Sequence, residues 1–256
     1  MTDWNRFREI QDLRESGRPA EALAQFQSLR EAATDAADIS SILLGVSLCY
    51  SDLRRYDEAA SAASEAIRLL PEDSPSRPYA EFSLAVIHEK QSKLEVSAQE
   101  LRTLLKVHAE LLSTGDHIEF RRGIQLRLIA DLIVLGHALE PLSIADGLKR
   151  EDISPEERAE LSYREANAQA LLGRNDQAVK LFREAVSGPL ERSLAARSHF
   201  HIGEILYDRS EFSEALDEFK QAEELADGRG PDRKLFADWV NHSKLALSTN
   251  SEGAPP

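Results

Sequence analysis

Small and apolar residues return along the chain in one recurring order. A small or polar turn leads into an acidic–alanine–apolar start, and an aromatic or apolar residue follows four positions after the small one. The pattern runs from Ser16 to Leu23 with Phe26, and from Arg55 to Ala60 with Ala63. It returns from Leu172 to Val179 with Phe182, and from Arg209 to Leu216 with Phe219. Weaker copies occupy 92–101 and 136–145. Anchored on the small residue, the copies fall at Ala22, Ala59, Ser97, Pro141, Ala178 and Ala215, with spacings of 37, 38, 44, 37 and 37 residues. A period in this range joined to 3.6-residue apolar periodicity predicts stacked helical hairpins, each unable to bury its apolar face alone.

The expected hairpins span about 3–36, 40–73, 78–113, 118–150, 155–188 and 193–227, in a single array over 1–247. Ser154-Pro155-Glu156-Glu157 reads as a capped helix start: a serine N-cap, a first-turn proline and a glutamate three residues on. Gly230-Pro231 opens a further helix to about 247, carrying Leu235, Phe236, Trp239, Val240 and Leu245; with no hairpin partner, it reads as a cap on the last repeat. The polar stretch 248–256 is expected to be a disordered tail. Irregular chain is expected at 72–78 and 114–118, the latter inside the 44-residue interval and so the expected bend.

With these residues the chain resembles the tetratricopeptide repeat (TPR) family, whose consensus sets small residues at repeat positions 8, 20 and 27. Position 8 here is Ile10, Ser47, Ala85, Ile129, Ala166 and Gly203; position 27 is Leu29, Ala66, Leu104, Leu148, Ala185 and Ala222. Repeats two, five and six match well, and the resemblance covers most of the chain, about 3–225. Small residues where two helices cross let ridges enter grooves without overpacking. The resemblance implies an all-α, right-handed α-solenoid of antiparallel hairpins with a C-terminal capping helix.

It also implies a concave groove lined by the first helix of each hairpin. Groove positions carried over from the family are Tyr79, Phe82, Arg127, Tyr163, Arg164, Asn167, Arg197, Phe200, His201, Glu204 and Tyr207. Positions 12 and 13 belong to the same lining: Arg14 and Glu15, Ser51 and Asp52, Glu89 and Lys90, Ile133 and Val134, Ala170 and Leu171, Tyr207 and Asp208. The family's clamp for terminal carboxylates is absent, since repeats one to three offer Phe7, Gln11, Gly45, Tyr79 and Ser83 where it needs Lys, Arg and Asn. Repeats five and six keep a partial echo in Arg164, Asn167, Arg197 and His201, which suggests capture of an acidic group. The competing expectation for the same residues is an ion-pair network with Glu160 and Glu204.

Composition narrows the function. Apolar residues make up 42% of the 256, enough for a continuous core, and aromatics only 6%. The net charge of −14 disfavours nucleic acid, which needs a basic face. Cys49 is the only cysteine, so neither an intrachain disulfide nor a cysteine zinc site can form; among apolar neighbours it reads as a small buried hydrophobe. His199 and His201 are two apart on a helix and point to different faces. No nucleophile–base pair, phosphate loop or metal spacing is present, so neither enzymatic activity nor a cofactor is expected. The N-terminus lacks a signal-like apolar stretch, and no run approaches the ~20 apolar residues of a membrane span. The expectation is a cytoplasmic adaptor binding a protein or peptide. The alternatives are a self-associating structural subunit, hence a homo-oligomer, and a peptide-sensing regulator.

Overall fold

A computed structural model of the chain describes residues 4–115, 117–226 and 231–252. Among them are fourteen helices and no strand. In chain order they are α1 (Trp4–Glu15), α2 (Pro19–Ala32), α3 (Ala36–Asp52), α4 (Tyr56–Leu69), α5 (Arg77–Lys90), α6 (Leu94–Val107) and α7 (Ala109–Leu112). There follow α8 (His117–Val134), α9 (Leu139–Leu148), α10 (Pro155–Leu171), α11 (Asn175–Ser187), α12 (Arg192–Asp208), α13 (Phe212–Leu225) and α14 (Pro231–Glu252).

The repeat is written into the backbone of the turns. Left-handed φ occurs at Gly17, Arg54, Ser92, Gly136, Gly173 and Ser210, each between the two helices of a hairpin. In every case the next residue's N–H reaches back to the last turn of the first helix. Thus Arg18 N donates to Leu13 O at 3.3 Å, Arg55 N to Tyr50 O at 2.8 Å, and Glu211 N to Leu206 O at 3.0 Å. This six-to-one closure satisfies carbonyls that a helix end would otherwise orphan. Glycine adopts that φ without cost, whereas Arg54, Ser92 and Ser210 adopt it against their Cβ. Gly115 is also left-handed, outside the hairpin turns.

Cα packing groups the chain into two units, Met1–Asp131 and Leu132–Pro256. The division falls inside α8, which is helical from His117. The long interval is taken up by the single turn of α7 and by the 18 residues of α8.

In the first unit Ile10, Phe26, Ile42, Val46 and Cys49 form a fully buried cluster. Helix α3 begins at Ala36, four residues ahead of the expected 40, because the Asp35 carboxylate accepts from Ala37 N and Asp38 N and so caps it early. Ser40 Oγ and Ser47 Oγ, both buried, donate to Ala66 O at 3.1 Å and Ala59 O at 2.8 Å across to α4.

In the second unit the core is aromatic: Phe182, Phe200, Phe219 and Phe236 are buried together. The capping box at Ser154 is complete, with Glu157 N donating to Ser154 Oγ and Ser154 N to Glu157 Oε2. Helix α14 lays Phe236, Trp239 and Val240 onto α13 and its neighbours. It runs to Glu252, beyond the expected end at 247, so the proposed tail is helical through 252; 253–256 lie outside the described residues. No glycine or proline interrupts 248–252, and the Ser248 and Thr249 hydroxyls bond back to Leu245 O.

Candidate functional site

The first helix of each hairpin sets its inner-face residues one turn apart, and the structure sorts the expected ones into three groups. In the first unit, Tyr79 and Phe82 on α5 meet α8. The Tyr79 ring stacks on Phe120 at 4.2 Å, its hydroxyl lies 2.9 Å from His117 Nδ1, and Phe82 sits edge-on to Phe120 at 5.3 Å. Tyr79 remains 39% exposed, so a flat aromatic surface faces outward there. Arg127 forms an ion pair with Glu89 of α5. Phe120 and His117 were not among the expected residues. They lie in the extra N-terminal turn of α8, ahead of the repeat frame from which the groove positions were counted.

Tyr163 and Phe200 correct the expectation. Both are buried, at 5% and 6% exposure, and line no groove. Tyr163 packs on Phe182 of α11 at 6.0 Å, and Phe200 on Phe219 at 5.6 Å and Phe236 at 4.9 Å. Tyr207 is half-buried, with Phe212 and Trp239 edge-on at 4.9 and 5.2 Å. At these positions the large apolar area is spent on the second helix of the same hairpin and, for Phe200 and Tyr207, on α14.

Of the remaining residues, Asn167, His201 and Glu204 line one cavity in the second unit, of about 400 Å³. Helix α10 contributes Asn167, Ala170 and Leu171, and α12 contributes His201, Glu204, Ile205 and Asp208; Ile133 and Asn175 complete the lining. His201 is fixed on both sides. Its ring stacks on Phe182 at 5.5 Å, and its Nδ1 lies 2.9 Å from Glu204 Oε2. Asn167 Nδ2 donates to Tyr163 O at 2.8 Å. Asp208 is exposed, and its carboxylate has no hydrogen-bond or ion-pair partner among the described residues.

The expected basic echo does not converge. Arg164 donates to Glu160 on its own helix at 2.9 Å, and Arg197 to Asp232 of α14 at 3.1 Å; neither lines the cavity. The carboxylates that do line it are Glu204 and Asp208, so the cavity's charge is opposite to that of an anion site.

Cys49 is fully buried, and desolvation pushes its thiol up to about 11, which leaves almost no thiolate near neutrality. No cluster of three or more potential metal ligands occurs among the described residues, and no helix among them is long and apolar enough to cross a membrane.

A family model described as tetratricopeptide repeat matches residues 7–74, 50–110 and 163–230, more than half of the chain. Among solved structures, the assembly chaperone of RpL4 (Acl4, residues 1–338) is similar with a TM-score of 0.64 at 15% identity, over 98% of this chain and 99% of that one. The C-terminal part of a TPR repeat-containing protein from Cytophaga hutchinsonii has a TM-score of 0.63 at 12% identity, over 95% and 88%. A tetratricopeptide repeat protein from Parabacteroides merdae has 0.57 at 14%, over 92% and 81%. At these identities the likeness is one of fold, and it is the all-helical repeat fold expected from the period. Among curated proteins none matches the sequence significantly.

Proposed function

The chain belongs to the tetratricopeptide repeat family, whose members generally mediate protein–protein interaction, and from that premise we propose that it is a non-catalytic scaffold holding a peptide or partner segment against the inner faces of its first helices. The observation that carries this reading is the open cavity between α10 and α12. It brings the amide of Asn167, the imidazole of His201 and two carboxylates to one recess that Ile133, Ala170, Leu171 and Ile205 also line. Concave sites with an apolar base and a few placed polar groups are where ligands bind. Tyr79, Phe82 and Phe120 supply a second, aromatic contact surface of the kind enriched at interface hot spots. On this reading the partner is a protein or peptide rather than nucleic acid or membrane, no cofactor takes part, and the protein works in the cytoplasm.

Selection of a displayed random-peptide library on the whole chain tests it. Recovered peptides should lose at least about tenfold in affinity when Asn167 and His201 are replaced by alanine. They should be indifferent to Lys180→Ala on the outer helix α11. Recovery of no peptide above background, or peptides insensitive to the inner-face pair, overturns the reading.

A further inference from the structure

The inner face carries its own template for what fills the cavity. Positions 12 and 13 of successive repeats meet twice in the first unit. Arg14 Nη1 donates to Asp52 Oδ2 at 3.0 Å across a separation of 38 residues, and Lys90 Nζ donates to Ser51 Oγ at 2.8 Å across 39. The same Arg14 guanidinium also donates to Gln11 at 3.2 Å and to Glu15 at 3.1 Å. Three acceptors thus close around one cation.

In the second unit the same two places are Ala170 and Asp208, again 38 residues apart. The aspartate is kept and the arginine is gone. Where its side chain would lie there is the cavity of about 400 Å³, lined by both residues, and the Asp208 carboxylate has no partner among the described residues. Glu204, one turn before Asp208 on α12, lines it as well, with His201 Nδ1 2.9 Å from its Oε2. Like charges at this spacing repel on a helix surface, and a cation between them removes the repulsion.

We propose, resting on the groove reading above, that this cavity is the seat of an arginine side chain supplied by the partner. Its guanidinium lies between Glu204 and Asp208, replacing in trans the arginine that Arg14 provides in cis. A planar fork of five donors can serve two carboxylates at once, which an ammonium does less well. The aliphatic stem runs against Leu171 and Ile205, as long cationic side chains do when they cover apolar surface. The net charge of −14 draws basic segments toward the chain in general. The recess selects where such a segment is read.

The test compares peptide selections on the whole chain and on two variants. On the native chain the recovered peptides carry an arginine at one fixed position, and its replacement by citrulline, which keeps the shape and removes the charge, weakens binding about tenfold or more. Asp208→Asn reduces affinity for the same peptides by a similar factor. Ala170→Arg fills the seat from within and abolishes the arginine preference. Circular dichroism is expected to show both variants folded, since Asp208 is exposed and Ala170 is only partly buried, at the edge of the core. Peptides without a basic residue that still require Asn167 and His201 overturn the arginine seat and leave the groove reading intact. Arginine preference that survives Ala170→Arg and Asp208→Asn overturns the seat as well. Recovery of no peptide removes both.

Discussion

Hairpins α3–α4 and α12–α13 solve the same helix crossing in opposite ways. In the first, Ser47 meets a face of four buried alanines, Ala59, Ala62, Ala63 and Ala66, and its hydroxyl bonds the backbone of the opposite helix. In the second, the place of Ser47 is Gly203 and that of Ala63 is Phe219. A Cβ on Gly203 would stand 2.6 Å from the Phe219 ring. One hairpin closes by small-on-small contact with a hydrogen bond, the other by a ring lying on bare backbone. The repeat therefore fixes where the two helices cross, while the pair of side chains that fills the crossing differs from one hairpin to the next. The N-terminal repeat makes the same trade across hairpins, for Gly45 of α3 lies under the ring of Phe26 from α2.

The largest expected effect follows from removing the ring. Phe219→Ala should cost about 3–5 kcal/mol, because the ring is fully buried and Gly203 offers no atom to fill the space left behind. Chemical denaturation measures it, and hydrogen exchange should show the loss concentrated in α12 and α13, as expected where each repeat is held chiefly by its neighbours. A loss below about 1 kcal/mol would mean that the ring is not what closes this hairpin.

Next comes Gly203→Ala, in which two effects of opposite sign compete. Alanine gains up to about 1 kcal/mol over glycine within a helix. Against this, overpacking a rigid core costs about 1–3 kcal/mol, and the atoms met are those of a ring with no room to withdraw. The net expectation is a loss of about 1–2 kcal/mol. It should be largely recovered in the double variant with Phe219→Leu, a coupling that a mutant cycle reads directly. A stabilised Gly203→Ala would refute the close approach.

How much of this the sequence disclosed differs by residue. The six turns were legible because each anchor residue sits five positions after a left-handed residue, and the backbone repeats wherever the spacing does. The fold class was legible for the same reason. Tyr163 and Phe200 were misplaced because a frame borrowed from the family assigns a face to a position. Whether a side chain there meets solvent or a neighbouring ring depends on which aromatic the next helix carries, here Phe182 and Phe219. Arg164 and Arg197 looked free as letters, yet each has a carboxylate within reach, one a turn back on α10 and one on α14. The ion-pair alternative foresaw Glu160 as a partner but not Asp232. The empty place beside Asp208 had no signal of its own, since a missing arginine shows only when the filled site at Arg14 and Asp52 is set beside it.

The small-on-small crossing should give way more gently than the ring. Ser47→Ala removes one buried hydroxyl and its 2.8 Å bond while leaving the Ala59 carbonyl inside a helix that still supplies a partner. The expected loss is about 1 kcal/mol, seen as a small fall in the denaturation midpoint at unchanged slope. A loss above about 3 kcal/mol would place the hydroxyl in a larger network than the bond to Ala59, and the contrast with Gly203 would fail.

The smallest effect is expected at the ion pair that serves as template for the arginine seat. Arg14→Ala breaks the contact with Asp52, whose carboxylate stands 36% exposed, so the charge left behind is rehydrated rather than stranded. Its loss should stay within about 1 kcal/mol and shrink further in molar salt. Ala170→Arg should gain no more than the same amount, with the same dependence on salt. The symmetry is the informative part: a guanidinium worth little to the fold can be surrendered by one repeat without penalty, and a seat so vacated is free to read a partner. If Arg14→Ala instead cost several kcal/mol irrespective of salt, the arginine would be a structural strut. Its absence beside Asp208 would then call for a compensating contact elsewhere in the second unit, which chemical denaturation of Ala170→Arg would expose as a loss in place of the expected gain.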